Sequence, residues 1–263
     1  VEINIVSIKY ARRHHHIQSD EDGEFVQIGI YPGRYTIQFQ KEGYMPVSTE
    51  KKIGIAETAN LKITMQKASQ AVQQQLSDAN KSFAKGIKLY EQEKYEEARD
   101  AYKEAIKENP EEWSYYFNLG LTHKKLENKE KAHEAFQKAV ELNPESYSAN
   151  KEMGELLAKS EKWTEAKKYY SKAVSLSQDD PDTYYNYGAV LSELGSPEEA
   201  LEAFLKAIEL DEEYADAYYQ AGTIYISQNK MTEAIKYLES FLELAPEHPK
   251  AATAQQILDY LKK

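Results

Sequence analysis

From Ala79 onward the apolar positions recur at the i, i+3, i+4 spacing of an amphipathic helix, and the whole pattern returns every 34 residues. Gly86, Gly120, Gly154, Gly188 and Gly222 mark the register. Twelve residues after each stands Ala98, Ala132, Ala166, Ala200 or Ala234, and four further on Tyr102, Phe136, Tyr170, Phe204 or Leu238. Three beyond those come Ala105, Ala139, Ala173 and Ala207, with Phe241 in the fifth place. A glycine inside a helix costs about 1 kcal/mol relative to alanine, so five at one register need a packing reason. The pattern predicts helical hairpins that cross at the small residues, with the large apolar side chain filling the gap beside them. The turns fall in "EQEKYEEA", "LENKEKA", "KSEKWTEA", "LGSPEEA" and "SQNKMTEA", whose acidic residues open each second helix where the dipole favours negative charge.

A stack of such hairpins ends in an apolar face that needs a cover. Ile257, Leu258 and Leu261 in "PKAATAQQILDYLKK" form a helical stripe suited to that, and a different neighbour there would accommodate Phe241 in place of alanine. Before Ala68 the period shortens to two: "VEINIVSI", "EFVQIGI", "RYTIQFQ" and "NLKITMQ" alternate, punctuated by Asp22-Gly23, Pro32-Gly33 and Glu42-Gly43. These predict a small antiparallel β-sandwich. Between the two patterns "QKASQAVQQQLSDAN" lacks glycine and proline and spaces its apolar residues helically, which predicts a semi-rigid helical connection. The expected organisation is a sandwich over 1–66, a connection over 67–78, five hairpins over 79–248 and a capping helix over 249–263.

The repeat resembles the tetratricopeptide repeat family, on the residues above together with Leu119, Met153 and Tyr187 before the glycine and the unit-ending Pro110, Pro144 and Pro246. That resemblance implies an all-α solenoid. Gln178 and Glu212 replace the closing proline, so those two connections are expected to be more continuously helical. The run "SDEDGEFVQIGIYPGRYTIQFQKEGYMPV" resembles the carboxypeptidase regulatory-like, or transthyretin-like, β-sandwich family, through Asp20 or Asp22, Gly23, Phe25, Pro32, Gly33, Tyr35, Gly43 and Tyr44. It implies an accessory fold common on exported bacterial proteins, without peptidase activity, and an extracytoplasmic location. In that family a further strand precedes the one at Val1, so one sheet edge is expected to lack its partner. Unpaired edges invite strand addition from another chain.

Composition narrows the chemistry. The net charge is -11, with 9 basic and 8 acidic residues up to Lys67 and the excess of acid thereafter. A net-acidic surface repels phosphate, which argues against nucleic acid. Cysteine is absent, which removes disulfides and thiol chemistry, and no apolar run approaches the roughly 18 residues of a membrane span. The chain opens at Val1 with no basic-then-apolar leader, as either a removed signal peptide or trimming would leave it. Of His14, His15 and His16, only the outer two share a strand face, too few for zinc. "SDEDG" lacks the calcium-loop spacing, His133-Glu134 lacks the second histidine of a zinc helix, and Asn80-Lys81-Ser82 is a lone glycosylation sequon in a helix. No phosphate loop or nucleophile motif occurs, so neither an enzyme nor a cofactor is expected.

The resemblance to tetratricopeptide domains implies a partner surface on the first helix of each hairpin, three and two residues before the glycine and one after it. The candidates are Phe83, Ile87, Phe117, Asn118, Leu121, Lys151, Tyr185, Asn186, Tyr219 and Gln220. Asparagines there suit an extended peptide backbone and aromatics its side chains. The competing reading packs these aromatics between hairpins. Phe83 and Ile87 stand where the family's carboxylate clamp has lysine and asparagine, which disfavours a C-terminal carboxylate ligand. Each tyrosine pair, Tyr115-Tyr116, Tyr169-Tyr170, Tyr184-Tyr185 and Tyr218-Tyr219, is expected to bury one ring and present the other. The expected function is a non-enzymatic scaffold for a protein or peptide. The alternative is a filament subunit, a homo-polymer joined head to tail by strand addition at the open sheet edge.

Overall fold

A computed structural model describes residues 1–7, 14–19, 33–41, 44–53, 63–67 and 69–262. The chain divides into two compact units, Val1–Ala149 and Asn150–Lys263.

In the first unit β1 (Glu2–Ser7), β2 (His14–Gln18), β3 (Gly33–Gln40) and β4 (Val47–Ile53) form one antiparallel sheet in the order β2-β1-β3-β4. The register sets Ile3 against both Ile17 and Phe39, and Ile5 against Ile37. Directly paired residues share a face, so Ile3, Ile5, Tyr35, Ile37 and Phe39 gather into one buried cluster, joined by Val1, Ile17, Ile53, Ile63 and Met65. The same rule puts Asn4, Arg34, Thr36, Gln38, Gln40 and Glu50 on the opposite, polar face.

The described residues thus show a small antiparallel sheet rather than the two layers of the expected sandwich. The expected strand at 24–30 and the turns Asp22-Gly23 and Glu42-Gly43 lie outside the described residues, as does Pro32, while Gly33 opens β3. In the expected strand over 60–66 the first three residues lie outside too, and 63–66 join no ladder, although Ile63 and Met65 still bury against the apolar face. The expected open edge at the first strand is corrected: β1 is interior, because β2 pairs with one side of it and β3 with the other.

Two hairpins follow in this unit, α1 (Gln70–Glu91) with α2 (Tyr95–Glu108) and α3 (Trp113–Lys125) with α4 (Lys129–Leu142). Helix α1 enters the first hairpin without a break, so the connecting helix and the first repeat helix are one element. The crossings are tight. A Cβ placed on Gly86 would stand 2.5 Å from the Tyr102 ring, and one on Gly120 2.5 Å from the Phe136 ring.

The second unit takes α5 (Tyr147–Lys159) from Asn150 on, α6 (Trp163–Leu176), α7 (Pro181–Glu193), α8 (Pro197–Leu210), α9 (Ala215–Ser227), α10 (Met231–Leu244) and α11 (Ala251–Leu261). Its glycines meet the same partners in kind: Gly154 faces Tyr170, Gly188 faces Phe204 and Gly222 faces Leu238. Helix α11 covers the last hairpin, with Leu258 buried against Leu238, Phe241 and Ala254. Phe241 fits there because Tyr219 and His248 each set a ring edge-on to it at 5.2 Å.

Every hairpin turn uses one backbone device. Glu93, Glu127, Glu161, Gly195 and Asn229, again 34 apart, all have φ between 57° and 70°. The next amide then reaches back over the end of the helix, as Lys94 N does to Leu89 O at 2.9 Å and Ser196 N to Leu191 O at 2.9 Å. The prolineless connections at Gln178 and Glu212 are not continuously helical as expected. Ser177 and Asp211 are extended, and α7 and α9 begin afresh because Asp180 and Pro181 start the one and Tyr214 precedes the other.

Candidate functional site

The first helix of each hairpin carries the predicted surface, and the structure treats its ten residues in three ways. Phe83 and Phe117 are hairpin core: Phe83 is 4% exposed and packs on Tyr102 and Tyr115 with centroids 5.6 and 4.7 Å away. Phe117 is equally enclosed, between Trp113 and Phe136. Asn118 is partly spent, since its Nδ2 donates to Ser114 O at 2.8 Å. Lys151 is tied by Asp180, whose Oδ2 accepts from its Nζ at 2.6 Å.

Ile87, Leu121, Tyr185, Asn186, Tyr219 and Gln220 remain partly exposed. In the second unit α7 and α9 bring the last four together. Tyr185 leans on Phe204 and Tyr214 with centroids 5.5 and 5.2 Å away, and burial pushes its hydroxyl up while Gln220 beside it pulls the other way. Tyr214 in turn donates to Asp182 Oδ1 at 3.0 Å. The Tyr219 ring rests on Phe241 and lies 4.8 Å beneath Lys250 Nζ. These contacts hold the rings at fixed angles with one side open, and the Asn186 side chain makes no hydrogen bond to the described residues. The tyrosine pairs divide accordingly: Tyr115 and Tyr170 are buried and their neighbours Tyr116 and Tyr169 half-buried, whereas both rings of the last two pairs stay half-buried.

In the first unit a different occupant meets these helices. The polar face of the sheet docks on the starts of α3 and α5. Gln38 Nε2 donates to Ser114 Oγ at 3.1 Å, the Arg34 guanidinium sits 4.0 Å over the Tyr147 ring, and Glu50 accepts from Ser146 Oγ at 2.7 Å. Ser148 donates to the same carboxylate through Oγ at 3.1 Å and through its amide at 3.3 Å. Burial raises the Glu50 carboxyl above its ordinary range, the three serine hydrogen bonds and Arg34 opposing it. The sequence reading missed Arg34, Gln38 and Glu50. The available signal was the polar stripe Arg34, Thr36, Gln38, Gln40 along β3, two of whose members are buried although nothing about the strand itself requires it.

Models of the tetratricopeptide repeat match residues 86–127, 113–146, 146–213 and 185–249. No curated protein matches the chain. Among solved structures the chain is similar to YrrB, described as a TPR protein with an unusual peptide-binding site, at 26% identity and TM-score 0.64 over 71% of this chain and 96% of that one. It is similar to MamA at 26% identity and TM-score 0.58, over 62% of this chain and 95% of the other. For PilF of Pseudomonas aeruginosa the identity is 16% and the TM-score 0.54, over 72% and 93%, a likeness of fold alone. The glycine-centred hairpins and the four matches agree: residues 86–249 of this chain are built of tetratricopeptide repeats.

Proposed function

We propose that the chain is a non-enzymatic interaction scaffold that holds a peptide or protein segment on the first-helix face of α7 and α9. The observation that carries this reading is the group Tyr185, Asn186, Tyr219 and Gln220, anchored from behind yet partly open, with the Asn186 carboxamide unspent. Rigid, half-buried tyrosines beside a free carboxamide are the composition that protein interfaces favour. The likeness to YrrB supports a peptide as the ligand. The sheet is read as a carboxypeptidase regulatory-like module on its motif residues, of which Gly33 and Tyr35 lie against each other, Tyr35 wholly buried.

A photoreactive phenylalanine analogue at Asn186, compared with one at Glu202 on α8, tests the reading in full-length protein exposed to its native extract. Discrete cross-linked partners at 186 and none at 202 are expected. Equal labelling from both positions would remove the case for a binding face.

A further inference from the structure

The polar face of the sheet and the starts of α3 and α5 meet through groups that water could serve as well. Thr36 and Gln38 on β3 and Ser114, Ser146 and Ser148 on the helix starts are all buried. Gln38 donates to Ser114, Ser146 and Ser148 donate to Glu50, and the Arg34 guanidinium lies over the Tyr147 ring. Apolar packing is spent elsewhere: among the described residues the buried cluster of the sheet draws its members from 1–65 and none from a helix. Hydrogen bonds of this kind exchange with water at little net gain, so the contact is of the polar sort found between domains that move against each other. The fit is also incomplete, because Ser48 on β4, paired with Gln38 and on the same face, buries its Oγ without a hydrogen bond to the described residues.

Two carboxyls sit in this contact. Glu50 accepts from Ser146 and Ser148, and Glu112, the N-cap of α3, accepts from Ser114 N at 3.2 Å with Ser48 of β4 beside it. Burial raises both above the ordinary carboxyl range, against the hydrogen bonds that lower them. A buried carboxylate is tolerated where a cation meets it directly. Here the charged and titratable neighbours are Arg34 for Glu50, with its guanidinium turned onto Tyr147, and the Tyr115 phenol for Glu112. Arg34 stays charged and Tyr115 protonated while carboxyls titrate, so the two glutamates are the groups that change. A carboxyl that holds its proton more tightly when covered favours the covered state below the ordinary carboxyl range, and that preference is lost as pH rises through the covered-state value.

We propose that the sheet is a releasable cover over the starts of α3 and α5, seated by matched polar groups and let go when Glu50 and Glu112 ionise. Backbone pairing of the sheet ends at the bridge between Tyr44 and Lys67, and α1 begins at Gln70. The sheet therefore keeps its apolar core, and the hairpins their glycine crossings, when the contact opens. Seated, the sheet shuts Ser114, Ser146, Tyr147 and Ser148 away from anything outside the chain. Released, it leaves them to solvent. The device is confined to the first unit and stands or falls without the α7–α9 face.

The chain has no cysteine, so the full-length protein takes spin labels only where cysteines are introduced. Gln18→Cys on β2 with Glu97→Cys on α2 spans the contact, and Glu97→Cys with Glu130→Cys on α4 stays within the hairpins; all three positions are exposed. Pulsed dipolar spectroscopy of the first pair is expected to give one narrow distance at about pH 4.5 and an added longer, broad one at about pH 8, on either side of carboxyl titration. Each carboxyl weakens the seating by up to about tenfold per pH unit. The second pair is expected to hold its distance throughout. Glu50→Gln with Glu112→Gln should keep the first pair narrow at the higher pH, and Gln38→Glu, which adds a third carboxyl to the buried face, should enlarge the broad component there. A first-pair distance that ignores pH, a broad component that survives the double substitution, or equal broadening of the second pair would overturn the proposal.

Discussion

Glu50 on β4 and Ser146 just before α5 are 96 residues apart in sequence, and the 2.7 Å hydrogen bond between them fastens the sheet to the repeats of its unit. The carboxyl is raised by burial more than the serines and Arg34 lower it. A carboxyl whose folded pKa exceeds its unfolded value holds more proton when folded, so its contribution falls as pH climbs from the ordinary carboxylate range through the folded value. Glu112, also raised by burial, acts in the same direction. Glu50→Gln mimics the protonated form at every pH. The variant is therefore expected to melt above the parent near pH 7, and the gap is expected to shrink as pH falls and to close below the ordinary carboxylate range, where Glu50 is protonated both folded and unfolded. Differential scanning fluorimetry across that range reads it, and a gap independent of pH would count against the burial argument.

The hairpin crossings rank by how tightly the ring meets the glycine. At Gly120 an added Cβ falls 2.5 Å from Phe136, at Gly154 no nearer than 3.0 Å to Tyr170. Alanine gains about 1 kcal/mol of helix propensity, while forcing a methyl into a filled core costs about 1–3 kcal/mol. Gly120→Ala is expected to lose about 1–2 kcal/mol on balance, and Gly154→Ala to stay within about 1 kcal/mol of the parent. Phe136→Leu added to Gly120→Ala should recover part of the loss. Urea unfolding of the three variants gives the order.

These crossings were legible in the sequence because each hairpin restates one local demand at Gly, Ala and a ring, and the demand reappears 34 residues later. The sheet was legible only where a strand alternates. In β4, "VSTEKKI", Val47 and Ile53 are the only apolar residues, and the strand is set by its ladder to β3, from Gly33 opposite Ile53 to Phe39 opposite Val47. Such a partnership lies beyond any local window. The candidate surface was legible as a face and misjudged in detail: the spacing that places Phe83 and Phe117 on the first helix does not say whether the ring turns toward its neighbours. Tyr102, Tyr115 and Phe136 draw both rings inward. Gln38 and Glu50 escaped because their partners are serines on distant helix starts.

The turn position of every repeat carries the same left-handed backbone, yet only the fourth repeat spends a glycine on it. Gly195 has φ 70° with nothing within 4 Å of its Cβ position, while Glu93, Glu127 and Glu161 accept φ near 60° with a side chain attached. An L-residue pays about 1–2 kcal/mol there, and glycine gives back about 0.5–1 kcal/mol through its looser unfolded chain. Glu127→Gly and Glu161→Gly are each expected to stabilise by up to about 1 kcal/mol, and Gly195→Glu to destabilise by a similar amount. Asn229→Gly should gain less, since asparagine tolerates this conformation better. Chemical denaturation of the four single variants checks the set, and a loss on introducing glycine at 127 or 161 would show that those glutamates do something the turn geometry does not require.

Asp180 and Lys151 make unequal demands on the second unit, although they form one ion pair. Asp180 also caps α7, its Oδ1 accepting from Asp182 N at 3.1 Å and its Oδ2 from Thr183 Oγ1 at 3.0 Å. Lys151 has the aspartate alone as its ionic partner among the described residues, and both side chains are about a quarter exposed. Removing a helix N-cap costs about 0.5–2 kcal/mol, whereas a partly exposed ion pair contributes about 1 kcal/mol or less. Asp180→Ala is therefore expected to lose about 1–3 kcal/mol and Lys151→Met no more than about 1 kcal/mol. Asp180→Asn, which keeps a capping oxygen and gives up the charge, should fall between them. Raising the salt concentration should shrink the Lys151→Met loss while leaving most of the Asp180→Ala loss in place, because screening weakens the ion pair and not the cap. Thermal melts of the three variants at low and high salt measure all of this, and a Lys151→Met loss as large as that of Asp180→Ala would mean that the pair, rather than the cap, anchors the start of α7.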